Sequence, residues 1–320
     1  MKIIDAHCDV LYKMFLNREL DFFAGDPRLD VTYPGLKKAG VALQFFAIYL
    51  PDSLASPTFD HILEYIDLFH RNILTRDDVI FVKNAQDLQN ALGQNKPGAL
   101  LSLEGVDGLE GNLAHLRILY YLGVRAVGIT WNYANWAADG VMEPRKGGFT
   151  SKGRQLIQEC HRLGMIVDVS HLSVKGFWEL AEMSDEPFIA SHSNAYAVCP
   201  HPRNLSDEQI REIIRRGGVI GVTFVPKFVY AASPPSLHHI LLHIDHICGL
   251  GGGRNIGFGS DFDGIDTYIP GLEKVEAYER LVNELVKHYP ADLVERLLYK
   301  NWQHFLEKQL ASQTSGESPE

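Results

Sequence analysis

Short runs of β-branched and apolar residues recur along the chain, each followed by a longer stretch whose apolar positions return at helical spacing and which closes on polar residues or glycine. The pattern predicts strands at Ile3–His7, Val41–Tyr49, Ala99–Glu104, Ala126–Thr130, Ile166–Ser170, Phe188–Ser191, Val219–Val225 and Ile256–Ser260. Between them it predicts helices over Thr58–Thr75, Ala85–Leu92, Leu113–Leu122, Lys152–Leu163, Val174–Met183, Asp207–Arg216 and Leu237–Cys248. Two more follow the last strand, near Glu273–His288 and Ala291–Lys308. Parallel strands need crossover connections, and closing the sheet removes its exposed edges. The expected fold is therefore α/β, a (β/α)8 TIM barrel with additional C-terminal helices. A doubly wound open sheet is the rival, and its nucleotide-binding versions are weakened because no Gly-x-Gly-x-x-Gly or Walker-type turn follows the first strand.

Composition narrows the class. The chain has 320 residues, 46% hydrophobic and 22% charged, enough for one barrel domain over residues 1–310. The Ser-, Gly- and Pro-containing stretch Ala311–Glu320 is expected to be a disordered tail. A net charge of −10 with no dense Lys/Arg run argues against a nucleic-acid partner. No apolar run approaches the roughly 20 residues of a membrane span, and Met1-Lys2 leads straight into Ile3-Ile4-Asp5-Ala6-His7 without room for a secretory leader. Cys8, Cys160, Cys199 and Cys248 are widely spaced and form no Cys-x-x-Cys, which suits thiols in a reducing compartment. The expectation is a cytoplasmic protein with no membrane partner.

Metal-binding residue types fall at the C-terminal ends of the predicted strands, the rim on which barrels build active sites. They are His7 and Asp9 after the first strand, Glu104 after the third, His171 after the fifth, His192 after the sixth and Asp261 after the eighth. His7 and Asp9 have i, i+2 spacing, so an extended segment turns both to the same side and Cys8 away. Taken singly, each has an ordinary reading: a hydrogen-bonded His-Asp pair, a capping Glu, a satisfied core histidine, a turn-forming Asp. Taken together, five strand ends carrying His, Asp or Glu point to a metal centre. Imidazole and carboxylate donors without thiolate favour zinc or a similar borderline divalent ion. His238, His239, His243 and His246 form the densest histidine cluster, yet the Glu of His-Glu-x-x-His is missing and a solvated helix face is expected there. Ser102, Ser170 and Ser191 lack a Gly-x-Ser-x-Gly elbow, which disfavours a serine hydrolase.

The segments Asp5-Ala6-His7-Cys8-Asp9, Ser102-Leu103-Glu104-Gly105, Asp168-Val169-Ser170-His171, Ser191-His192-Ser193-Asn194-Ala195-Tyr196 and Gly259-Ser260-Asp261-Phe262-Asp263-Gly264 occur in this order over almost the whole chain. With them the chain resembles the membrane dipeptidase (renal dipeptidase) family, in particular its soluble bacterial branch. The resemblance implies a binuclear zinc dipeptidase. His7 and Asp9 would bind one Zn2+ and His171 and His192 the other, with Glu104 and a water or hydroxide bridging them. It further implies Asp261 as catalytic aspartate, Arg203 in Pro202-Arg203-Asn204-Leu205 as the anchor of the substrate carboxylate, dipeptides as substrates, and a homodimer. Two ions about 3.5–4 Å apart make hydroxide available near neutral pH for attack on the peptide carbonyl. One departure stands out: where better-known relatives have Thr-His, this chain reads Thr130-Trp131-Asn132. Trp131 and Tyr196 are candidate substrate contacts, and Trp131–Gly148 is a candidate wall over the pocket. The alternatives are an amidohydrolase-like enzyme acting on an N-acyl amino acid, a lactone or a phosphoester, and a non-catalytic ligand-binding barrel.

Overall fold

The computed structural model describes residues 1–54, 56–232 and 234–311. Strands β1 (Ile3–Asp5), β2 (Val41–Tyr49), β3 (Ile80–Phe81), β4 (Gly98–Glu104), β5 (Val124–Gly128), β6 (Ile166–Asp168), β7 (Ile220–Val222) and β8 (Ile256–Phe258) form one parallel sheet. Its order is β6-β5-β4-β2-β1-β8-β7, with β3 beside the start of β4. The predicted strand Phe188–Ser191 contributes only single bridges, Asp168 to Ile189 and Ala190 to Ile220. Those bridges join β6 to β7 and close the ring, so the barrel has eight staves, the sixth reduced to Ile189–Ala190. Backbone bonds confirm the closure: Val169 N donates to Ile189 O at 2.8 Å and Gly221 N to Ala190 O at 2.8 Å.

The alternation of side chains along the strands builds two cores. Ile4, Leu43, Phe45, Leu100, Ile166 and Ile189 fill the barrel interior. Their neighbours Ile3, Phe46, Ile48, Leu101 and Val167 face the surrounding helices. The same period of two continues Leu100 through Ser102 to Glu104, and Phe45 through Ala47 to Tyr49, so Glu104 and Tyr49 emerge at the barrel mouth. At the other end the fully buried Trp302, from the helix Asn301–Ala311, packs with Phe305 and Leu306 into the inner core and donates from Nε1 to Phe258 O at 3.2 Å.

Most predicted helices form close to their expected bounds, Val174–Met183 among them. Among the described residues three α-helices were not expected. Val10–Leu16 and Tyr33–Ala39 have only seven residues each, and Pro226–Val229 has four, too few for apolar spacing to repeat. The expected tail beyond Ala311 lies outside the described residues. Among the described residues no helix is long and apolar enough to cross a membrane.

Two glycines, one on β7 and one just after β8, make room for the end of the sixth stave. A Cβ at Gly221 or Gly259 would collide with the carbonyl oxygen of Ser191. Replacing Gly259 with Ala is expected to destabilise the fold by about 1–3 kcal/mol, as overpacking against backbone that cannot retreat. A urea titration at constant m-value measures it.

Candidate metal centre and active site

Each strand-end residue is delivered to the mouth by a local device. Asp9 occupies the N-cap position of the helix Val10–Leu16, where Asp usually accepts from the first-turn amides, yet it makes no capping bond. Its carboxylate turns instead toward His7, Oδ2 lying 3.3 Å from His7 Nε2. His171 (φ 70°), Asp261 (φ 68°) and Asp263 (φ 67°) take the left-handed conformation that side chains other than Gly rarely adopt. Each such residue costs about 1–2 kcal/mol, and here that strain aims two of the cluster's side chains. Gly264 is required because a Cβ there would run into the carboxylates of Asp9 and Asp261.

The six predicted residues meet. Glu104 Oε2 lies 3.4 Å from His7 Nε2, while its Oε1 lies 2.9 Å from His171 Nε2 and 3.6 Å from His192 Nε2. Asp261 Oδ1 stands 3.7 Å from His7 Nε2. Ligand atoms of His7, Glu104 and His192 lie within 4.8 Å of one another, as do those of His7, Asp9 and Asp261. Cys8 is buried in the outer core, as the i, i+2 argument requires.

Hydrogen bonds behind the histidines fix their tautomers. His171 Nδ1 is 2.9 Å from Asn132 Oδ1, an acceptor, so the proton is on Nδ1. His192 Nδ1 is 2.8 Å from Ser191 Oγ, which donates its own proton to Asp168 Oδ2 and therefore accepts from the ring. Both Nε2 atoms consequently carry bare lone pairs, and they face each other at 2.8 Å. His7 Nε2 and Asp9 Oδ1 are buried with no hydrogen-bond partner. Lone pairs crowded in this way repel unless a cation lies among them, and neutral imidazole with carboxylate is a donor set suited to a borderline divalent metal. The residues present fit a metal centre.

Electrostatics separate the three histidines. Burial, together with Arg203 nearby, brings His171 down to about 3, and burial holds His192 well below its ordinary value. His7 rises well above the usual range because Glu104 and Asp9 outweigh its burial. Burial and the neighbouring carboxylates Asp9 and Glu104 push Asp261 well up.

The cluster forms part of the lining of a cavity of about 600 Å³. Arg203 also lines it, 5% exposed, with one terminal nitrogen donating to His192 O at 3.3 Å and Nε without a partner. Trp131 lines it too, beside Tyr49. Tyr196 is 47% exposed and is not among the lining residues. His201 packs on Phe228, which lines the cavity. Asp263 is buried away from the donor cluster, accepting from Asp30 N at 2.8 Å and Val31 N at 3.0 Å. The histidine-rich helix is not simply a solvated face: His243 is fully buried, accepting from Ala195 N at 3.1 Å and bonding Val229 O at 2.9 Å. Asn132, Ser191 and Asp168 as supports of His171 and His192, and Tyr12 and Tyr49 as cavity walls, were not assigned from sequence. Tyr49 was accessible to the strand-end argument, being the last residue of β2.

Imidazoles and carboxylates converging at the C-terminal rim of a (β/α)8 barrel define a metal-dependent hydrolase. A family model for the membrane dipeptidases (peptidase family M19) matches residues 1–318. The chain is 32% identical over 273 residues to the dipeptidase aclJ of Aspergillus oryzae, covering 80% of this chain and 64% of that protein. It is 37% identical over 230 residues to a protein encoded in the pqqA 5′ region of Klebsiella pneumoniae, covering 68% and 84%. The crystal structure of a metallo peptidase from Rhodobacter sphaeroides, liganded with a phosphinate mimic of the dipeptide L-Ala-D-Ala, has a TM-score of 0.89 and 27% identity over 97% of this chain and 99% of that one. The chain belongs to the membrane dipeptidase family and is, by that membership, a metal-dependent dipeptidase.

Two outcomes follow from the supports. If His171 ligates the metal, Asn132→Ala is expected to weaken metal retention about 10–100-fold, as loss of a partner behind a ligating histidine does; competition with a chromophoric chelator measures it. Burial pushes His243 down to about 4 from an ordinary 6.5, so the unfolded chain binds the proton more readily. The stability this provides, on the order of 3 kcal/mol, is present above pH 6.5 and is lost as pH falls through 4. Urea denaturation across that range should show a shallower decline in His243→Gln.

Proposed function

We propose that the protein hydrolyses the peptide bond of dipeptides at a binuclear zinc centre, His7 and Asp9 holding one ion, His171 and His192 the other, and Glu104 bridging them. The observation that carries this reading is the pair of bare imidazole nitrogens at 2.8 Å beside one oxygen of Glu104, while the other oxygen faces His7. Bound there, the ions would polarise the scissile carbonyl and lower the pKa of a shared water toward neutrality. The side chains do the rest. Asn132 and Ser191 hold His171 and His192 as neutral Nε2 donors. Arg203, buried and with Nε free, offers its guanidinium to the terminal carboxylate of the substrate, which favours very short peptides over internal bonds. Burial lowers Arg203 to about 10, and it remains cationic at neutral pH. Asp261, on the cavity wall beside His7, takes the proton of the attacking water and returns one to the departing amine.

A cytoplasmic setting and a homodimer belong to this reading, the former supported by four free cysteines and the latter by the family resemblance. Cell fractionation and light scattering test them.

The test of the function is a metal count after gel filtration together with a panel of dipeptides, N-acyl amino acids, lactones and phosphoesters. The expected result is two zinc ions and turnover of dipeptides. Turnover confined to the other classes would overturn the substrate assignment, and dipeptide binding without hydrolysis would mark a ligand-binding barrel. Glu104→Gln is expected to lose metal. Asp261→Asn is expected to keep it while kcat falls about 10²–10⁴-fold.

A further inference from the structure

On the dipeptidase reading just given, we propose that the rim between β2 and β5 receives the N-terminal side chain of the substrate and selects large apolar ones, with Trp131 as the main determinant. Around the closed ring the staves run β1, β2, β4, β5, β6, Ile189–Ala190, β7, β8. Arg203 follows the sixth stave, and Tyr49, the last residue of β2, stands at the second, four positions away and hence across the mouth. A dipeptide anchored by its carboxylate at Arg203, with its peptide bond over the donor cluster, directs its N-terminal residue toward Tyr49.

That side of the cavity is a connected aromatic wall. Tyr12 and Tyr49 meet edge to face with centroids 5.3 Å apart, Tyr49 and Trp131 lie 5.2 Å apart, and Trp131 reaches to 6.0 Å from His171. All three wall residues line the cavity, as does Leu16, 61% exposed. Trp131 therefore borders both the donor cluster and the open wall, where an aromatic or branched side chain on the carbon next to the reacting carbonyl would lie. Ring-on-ring and ring-on-aliphatic contact there reward size and penalise glycine. The cavity, about 600 Å³, accommodates such a residue.

The test uses zinc-loaded protein and the series Gly-Ala, Ala-Ala, Leu-Ala and Phe-Ala, each with L- and D-alanine, beside the reversed series Ala-Gly to Ala-Phe. The expected result is a kcat/KM at least ten-fold higher for Phe-Ala than Gly-Ala, carried mainly by KM. In Trp131→Ala that ratio should fall about ten-fold whatever the absolute rate, Trp131→Phe should restore most of it, and the Ala-Phe to Ala-Gly ratio should not move. Tyr12→Ala should lower the first ratio by a smaller factor, which keeps the test available if Trp131→Ala fails to fold. A flat wild-type profile across X-Ala, an unchanged ratio in Trp131→Ala, or equal loss in both series would overturn the assignment and leave the dipeptidase reading standing. Failure to hydrolyse any dipeptide would remove both.

Discussion

Electron-rich atoms forced together in a dry place set the terms for the rest of this molecule. Three carboxylates and three imidazoles converge at the cavity, all but Asp261 buried, and two of the imidazole nitrogens meet lone pair to lone pair. Within the cluster attraction runs between His7 and the carboxylates beside it, not between His171 and His192. The rest is held from outside: parallel strands that end at one rim, left-handed backbone at His171 and Asp261, Gly264 making room for two carboxylates, and hydrogen bonds that keep protons on the far side of the His171 and His192 rings. The fold supplies rigidity so that positive charge finds its ligands already arranged.

Much of this was legible in the chain because both signals involved are local. A strand announces itself by alternation, and a rim residue by following it, so the barrel and the six converging side chains could be read together. What escaped has the opposite character. Phe188–Ser191 reads as a strand by composition, yet it pairs through only two bridges, one to β6 and one to β7, a matter of three segments at once. The two-residue β3 is too short to show a period. Asn132 carries no sign in sequence that it faces His171 from 39 positions away, and His243 looked like surface because its two partners, Ala195 and Val229, are brought to it only by the tertiary fold.

The mouth is divided by the same geometry that builds it. Polar and cationic groups cluster after the sixth and seventh staves, where Arg203 and Lys227 flank the ring of Phe228. Aromatic rings gather after the first, second and fourth. A closed ring of staves places these two kinds of surface face to face, with the donor atoms between them, and so gives a short asymmetric molecule one favoured way to lie.

Trp302 adds a constraint of a different kind, one of time. Its indole stoppers the floor of the barrel beneath β8, and its strand partner in that floor, Gly257, lacks a side chain to leave space for it. Trp302 follows every strand in the chain, so the staves are made before the side chain that closes their floor. Sealing of this vessel thereby depends on a helix that lies beyond the last stave in sequence.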